Sequence, residues 1–352
     1  MKKHNFSAGP SILPPEVFEK AAQAVQNFNG MSLSLIEISH RSPEFGEVIE
    51  RARQLVYDIS GLKPSEYDVL FQHGGASTQF IATAYNLLRP GGKAGFIDTG
   101  TWSSKAIKET RLFGQVEIIA SSKDNGYKNI PAAYEIPEDL DYLHITSNNT
   151  IFGTQYQTYP ETRVPLVADM SSDIFSRDLD YSQFDLIYAG AQKNVGAAGT
   201  TLVIVKRDLI GQSGRDIPSM LNYRVQSEKG SMFNTPSVFS IYVSMLYLQW
   251  LKDKGGTAGI EKINREKAKL LYDEIDRNPY FEAYAEPDSR SIMNVTFNLT
   301  DEGMKERFDR LAADAGVHAI KGHRSVGGYR ASIYNAMPLE SVKVLVEVMQ
   351  AL

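Results

Sequence analysis

Residues 186–205 read LIYAGAQKNVGAAGTTLVIV. The two apolar runs, LIYAG and TTLVIV, have the length and β-branched content of strands buried on both faces, and a glycine-rich connection separates them. Between Asp185 and Lys206 the only formal charge is Lys193. An ammonium among residues suited to a sheet interior is costly unless it is paired or loses its proton. Lys193 is therefore either a solvated lysine on the turn between two strands or an amine whose pKa is depressed, as a Schiff-base lysine requires.

Working outward, the same kind of run recurs. DVLFQ (68–72), KAGFID, QVEIIA, YLHITS, VPLVAD, DLIYAG and TTLVIV read as seven strands. Helical patterns at 43–60, STQFIATAYNLL and TWSSKAIKETRLF lie before or between the early ones. This is an α/β fold: a large domain with a mainly parallel seven-stranded sheet covered by helices. Its most apolar segment, VFSIYVSMLYLQWL (238–251), is too short for a bilayer and reads as a buried helix or a subunit contact. From 251 the character changes to a charged amphipathic helix, then SIMNVTFNL, MKERFDRLAADAG, RASIYN and LESVKVLVEVMQAL, a small α+β domain. The expected division is 16–250 for the large domain, with 1–15 and 251–352 forming the small one.

Composition narrows the function. The 352 residues are 42% hydrophobic and 22% charged, ordinary for a soluble enzyme with a sizeable core. A net charge of −5 gives no electrostatic footprint for nucleic acid. The absence of cysteine removes disulfides, thiolate metal sites and a thiol nucleophile, and fits a reducing cytoplasm. Prolines and polar residues interrupt MKKHNFSAGPSILPPEV, which does not read as a signal peptide, so no membrane attachment and a cytoplasmic location are expected. No metal site is expected.

In open α/β sheets, ligands lie beyond the carboxyl ends of the strands. At those ends stand Gly74 to Ser77, Trp102, Asn149 and Thr150, Asp169 and Lys193. HGGAST opens directly into a helix whose first amides make a phosphate cradle, without the pattern of a nucleotide P-loop. FNTPSVF is a second helix start, with Thr235 as the expected N-cap and Pro236 at the first helical position. Asp169 either caps the MSSDI turn or holds a proton on a cofactor ring nitrogen. Trp102 is either core or a ring-stacking platform. An aspartate and a lysine on neighbouring strand ends are the two groups a pyridoxal phosphate site needs. The tripeptide HRS occurs twice, at 40–42 and 323–325, and Arg330 follows the second copy across VGG. As a set these cations favour a doubly anionic small substrate over surface placement alone.

FSAGPSILP, SHRS, GGAST, TGTWS, SNNTIFGTQY, ADMSSDI, YAGAQKN, NTPSVF and GHRSVGGYRASIYNAMP together resemble the phosphoserine aminotransferases, which are class-V, fold-type-I pyridoxal phosphate enzymes. The resemblance runs almost the full chain. It implies a cytoplasmic homodimer with shared active sites and one pyridoxal 5'-phosphate per subunit, bound as a Schiff base on Lys193. Asp169 would pair with the ring nitrogen, Trp102 would stack on the ring and Thr150 would contact its 3-oxygen. Ala76, Ser77 and Gln192 would hold the cofactor phosphate, with Asn234 and Thr235 coming from the partner subunit. Arg330 would grip the substrate α-carboxylate. His40, Arg41, His323 and Arg324 would receive the substrate phosphate, with Ser7 near the substrate. Some members carry arginine where this chain has Ser77, so its phosphate pocket has one positive charge fewer.

The implied reaction is reversible transamination of 3-phosphohydroxypyruvate with L-glutamate, giving O-phospho-L-serine and 2-oxoglutarate in serine biosynthesis. Formation of 4-phosphohydroxythreonine for pyridoxine synthesis is a second reaction of the same kind. The alternatives are a class-V aminotransferase of the alanine or serine:glyoxylate type, against which the doubled HRS speaks, and a non-catalytic binding protein, against which the complete Lys, Asp and Arg set speaks. Cysteine desulfurase chemistry is excluded by composition.

Overall fold

The computed structural model describes residues 3–352. In chain order, β1 (His4–Asn5), α1 (Pro15–Gln26) and α2 (Pro43–Ser60) precede β2 (Tyr67–His73). There follow α3 (Ala76–Leu87), β3 (Lys93–Asp98), α4 (Thr101–Thr110), β4 (Gln115–Ser121) and β5 (Tyr142–Thr146). A short hairpin, β6 (Asn148–Asn149) and β7 (Thr154–Gln155), leads to β8 (Leu166–Asp169), β9 (Leu186–Gly190) and β10 (Thr200–Lys206). Next come α5 (Tyr223–Glu228), α6 (Val238–Asp253) and α7 (Gly256–Arg277). The chain ends with β11 (Phe281–Ala283), β12 (Asn294–Leu299), α8 (Lys305–Asp314), β13 (Val317–His318), β14 (Tyr329–Ser332) and α9 (Leu339–Gln350).

The seven expected strands form one sheet in the order β2-β10-β9-β8-β5-β3-β4. All neighbours are parallel except β10, which runs antiparallel to both β2 and β9. The Lys193 connection is therefore a tight return between adjacent strands, and a crossover helix there is unnecessary. Every residue of β5, β8 and β9 is buried, which explains their unbroken apolar runs. β4 sits at the edge and is half-exposed. Period-two alternation assigns the faces. Val69, Phe71, Leu202 and Ile204 pack with α2 and α6, whereas Leu70, Val203 and Val205 pack with α3 and α4.

A separate apolar core gathers Leu271 and Ile275 of α7, Val295 and Phe297 of β12, Phe308 of α8 and Leu345 of α9. Phe6 is fully buried in it, held there because β1 pairs in parallel with β13. Two expectations need correction. Helix α6 begins at Val238 with Ser237 at its cap, not at Thr235 and Pro236. Ser237 has non-helical φ/ψ (−71°, 72°), and its hydroxyl donates to the Gly199 carbonyl at 2.8 Å, tying the helix start to the Lys193 turn. The strand read from RASIYN ends at Ser332, because the next residues leave the ladder for contacts described below.

The β6–β7 hairpin joins the two cores. Gly153 has φ +73°, and a Cβ there would lie 2.2 Å from Thr296 Oγ1 and 2.9 Å from the Asn294 carbonyl of β12. Left-handed backbone strain and overpacking act together, so Gly153→Ala is expected to destabilise the protein by about 2–4 kcal/mol. Urea unfolding followed by circular dichroism measures this directly, and an unchanged midpoint would contradict it.

Candidate active site

The β9–β10 return is built so that one side chain leaves it. The Ala191 amide donates to the Thr200 carbonyl (3.1 Å), and the Gly196 amide donates to the Ala191 carbonyl (2.7 Å). The opening loop of the chain, Ser7 to Ser11, closes over this turn. The Ser11 hydroxyl donates to the Lys193 carbonyl at 2.6 Å, and its amide donates to the Gln192 carbonyl at 2.8 Å. Gly9 lies in van der Waals contact with the Lys193 stem, its Cβ position being 3.6 Å from Cε. Backbone and neighbours thus fix the lysine while its amine points into a crevice.

That crevice has a volume of about 470 Å³ and is lined by Gly74 to Thr78, Trp102, Thr146, Asn148, Asp169, Ser171, Ser172, Gln192 and Lys193. It gathers the carboxyl ends of β2, β5, β8 and β9 and the start of α4. A larger bowl of about 550 Å³ is lined by segments leading into β5 and β8, including Tyr134, Glu138, Glu161 and Arg163, and gathers no lysine or buried carboxylate.

Burial pushes the Lys193 amine down to about 8; Asp169 and Asp173 pull it up, and Arg330 pushes it further down. Asp169 is 5% exposed, and burial raises its carboxyl above the ordinary range, opposed by hydrogen bonds from Ser171 and by Lys193. Asp169 Oδ1 accepts from the Ser171 amide at 2.9 Å. Asp169 therefore both caps its turn and faces the lysine.

Trp102 stands on the first turn of α4 with its ring centroid 6.0 Å from Lys193 Nζ, and its Nε1 donates to Thr150 Oγ1 at 3.0 Å. The Thr150 carbonyl in turn accepts from Arg330 Nη1 at 2.9 Å, so Thr150 splices the indole to the guanidinium. No side chain caps the start of α3 at Gly75, leaving the amides of Ala76 and Ser77 on the crevice wall for an anion. Gly74 has to be glycine: φ is +101°, and a Cβ would lie 2.0 Å from Thr78 Oγ1.

The crevice thus unites Lys193, Asp169, Trp102, Gln192, Ala76 and Ser77. Thr150 and Arg330 reach its edge through hydrogen bonds. Ser7 lies in the covering loop, its Oγ accepting from the Gly9 amide at 3.4 Å. His323 and Arg324 occupy the turn before β14. Burial lowers the His323 pKa, and the charges of Arg330, Arg324 and Lys105 lower it further, so these cations crowd one mouth. His40, Arg41, Asn234 and Thr235 are absent from the crevice lining within one chain. His40 Nε2 is buried without a hydrogen-bond partner, whereas Arg41, Asn234 and Thr235 are exposed. Asn149 also points elsewhere, donating to Thr99 Oγ1 and Thr154 Oγ1, both at 3.1 Å; strand alternation gives Asn148 to the crevice instead. Sequence reading missed Thr146, Ser171, Ser172 and Lys105. All four lie in segments whose elements the sequence reveals, and only their side-chain direction was hidden.

This donor set fits pyridoxal 5'-phosphate. An amine held below its ordinary range, a buried carboxylate, an indole and an uncapped helix start supply carbonyl capture, ring-nitrogen pairing, stacking and phosphate binding.

The profile described as aminotransferase class-V matches residues 3–345. The chain is 61% identical over 352 residues to a phosphoserine aminotransferase of Flavobacterium johnsoniae, covering 100% of this chain and 99% of that one. Among solved structures, a phosphoserine aminotransferase described for radiation damage of its Schiff base is 47% identical with a TM-score of 0.96, covering 100% and 99% of the two chains. The PLP-bound phosphoserine aminotransferase of Trichomonas vaginalis is 34% identical with a TM-score of 0.92, covering 99% and 100%.

The charges around Lys193 predict its titration in the cofactor-free protein. Its amine should become reactive towards reductive methylation with a midpoint at about pH 8. Asp169→Asn removes a charge that favours the ammonium and should move the midpoint down. Arg330→Ala removes one that disfavours it and should move the midpoint up. Peptide mass spectrometry across a pH series reads all three; a midpoint in the ordinary lysine range, about 10.4, would be contrary.

Proposed function

The chain belongs to the class-V aminotransferase family, and we propose that it interconverts 3-phosphohydroxypyruvate with L-glutamate and O-phospho-L-serine with 2-oxoglutarate. The observation that carries this reading is one crevice holding a depressed amine, Lys193, with Asp169 and Trp102 around it and Arg330 hydrogen-bonded at its edge.

Pyridoxal 5'-phosphate, when bound, supplies an electron sink for the pair left behind when the substrate Cα–H bond breaks. Lys193 would hold the cofactor's carbonyl carbon covalently, and the amides of Ala76 and Ser77 with Gln192 would hold its phosphate. Asp169 would keep a proton on the ring nitrogen, since a buried carboxylate favours a cationic partner. Trp102 would lie against the ring and Thr150 Oγ1 near its 3-oxygen. Arg330 binds the substrate α-carboxylate and turns Cα towards Lys193. Once free, Lys193 Nζ is neutral above about pH 8, so it takes the Cα proton and redelivers it within the crevice. His323 and Arg324 receive the distal anion, a γ-carboxylate in one half-reaction and a phosphate in the other.

We read the chain as two domains, 16–250 against 1–15 and 251–352, a division supported by the separate core of α7, β12, α8 and α9, although Leu251 and Ile260 pack with the larger core. We also read the protein as a homodimer that shares its active sites. Ile36, Phe18, Leu33 and Phe239 are 64%, 56%, 46% and 37% exposed, an unusual amount of apolar surface for neighbouring elements. They lie on α1, on the start of α6 that α1 packs against, and on the turn that the Leu35 amide ties to the Ala24 carbonyl. A second copy seated there would cover them and would bring His40, Arg41, Asn234 and Thr235 to the neighbouring crevice.

Half-reaction assays of the holoenzyme with O-phospho-L-serine, L-alanine and L-serine test the substrate. Conversion of the cofactor by O-phospho-L-serine and L-glutamate is expected; preference for alanine or serine would replace the reading. Lys193→Ala should bind cofactor and transfer nothing. Arg330→Ala should weaken both half-reactions by about 10- to 100-fold. His323→Ala should weaken the phosphorylated one more; equal losses would remove His323 from the distal pocket. Ile36→Asp should yield monomers by analytical ultracentrifugation with lowered activity, and an active monomer would refute the shared site.

A further inference from the structure

Ser77 gives the crevice wall no charge, yet a phosphate substrate needs cations that are free to meet it. Lys193 is committed to the cofactor and Arg330 already donates to Thr150. His323 is held towards its neutral form by burial and by the surrounding positive charges. A phosphate dianion reaching this mouth would find less positive charge than its sequence suggests.

Lys105 changes that balance. It stands one helical turn after Trp102 on α4, exposed, with Nζ 4.4 Å from the Trp102 ring centroid. The same indole lies 6.0 Å from Lys193 Nζ and is linked through Thr150 to Arg330. Both amines and the guanidinium are therefore arrayed around one side chain. Among the described residues no carboxylate pairs with Lys105, Arg324 or Arg330.

We propose that Lys105 is a specificity-determining residue that grips the substrate's distal phosphate, supplying from α4 the cation that position 77 lacks. This rests on the phosphorylated-substrate reading above. The exchange is favourable, because an exposed cation–π contact is weaker than a charge-assisted hydrogen bond to an anion. The flexible four-carbon stem lets the ammonium leave the indole when an anion arrives and return when it departs. A dianion gains more from this than a γ-carboxylate, so Lys105 separates the two half-reactions.

The test is Lys105→Met in the holoenzyme, with Lys105→Arg as the conservative control. For O-phospho-L-serine, KM should rise about 10-fold with kcat little changed, and the arginine variant should restore most of the loss. For L-glutamate the change should stay below about 3-fold. Inhibition by inorganic phosphate should weaken in parallel. The visible absorption of the bound cofactor should not move; a shift there, with equal losses for both substrates, would make Lys105 a prop for Trp102 and overturn the proposal. Unchanged phosphate inhibition would also overturn it. If the unaltered enzyme prefers serine to O-phospho-L-serine, the substrate reading fails by itself, and phosphate inhibition of Lys105→Met still decides whether the anion subsite exists.

Discussion

One amine kept out of water at the end of a buried strand is the constraint around which the molecule is arranged. A desolvated lysine loses its proton readily and a desolvated aspartate gains one, and Lys193 and Asp169 each moderate the other's shift. The balance depends on Asp173 as well, a second buried carboxylate whose charge would otherwise pull Lys193 back towards its ammonium form. Asp173 is answered first by its own partners: Gln155 Nε2 donates at 3.0 Å, Ser147 Oγ donates to its other oxygen, and Arg177 lies 3.7 Å away. Of the two carboxylates, Asp169 therefore pulls on the amine more strongly than Asp173 does.

Holding that amine in place requires the two cores to be joined rigidly, and the joint is polar. Asn194, next to Lys193 and fully buried, accepts from the Asn335 amide at 3.1 Å. The Asn335 side chain donates to the Phe175 carbonyl and accepts from Asn264 of α7. Tyr334 donates to the Ala8 carbonyl at 2.8 Å, anchoring the loop that covers Lys193. The backbone after β14 leaves its ladder to make these contacts, and its freed Ile333 and Tyr334 carbonyls are taken by the buried Lys267 amine at 2.9 and 2.7 Å. With no acid beside it, burial pushes Lys267 down to about 7. Such networks specify one arrangement only when their members are satisfied, and most of these are.

Much of this was legible before any coordinates. Seven apolar runs gave seven strands in one sheet, because strands buried on both faces announce themselves by composition. Lys193 and Asp169 stood out because a charge in such a run has few explanations. What stayed hidden depended on direction or on distance along the chain. Asn148 and Asn149 are adjacent and chemically identical, and only the pleat decides which one lines the crevice. Thr235 and Ser237 are both sound helix caps by residue type; the Gly199 carbonyl, far away in sequence, selected the second. Lys105 resembles any exposed helical lysine until Trp102 is seen beneath it. His40 and Arg41 form a motif that does not line the crevice of the single chain.

The mouth of the crevice must serve two anions of different charge, and its construction suits that demand. A permanent cluster of fully charged cations would hold a phosphate too well to release it and would bind monoanions poorly by comparison. Here the charges differ in availability. Arg330 is fixed by Thr150, and on the proposed reading it would orient the end of the substrate common to both reactions. His323 is kept towards neutrality by burial and by the cations beside it, so an incoming anion would favour its protonation. Lys105 rests weakly on an aromatic face. On the proposed reading, positive charge would appear in proportion to the negative charge that enters, which would allow a γ-carboxylate and a phosphate to share one pocket without either becoming trapped.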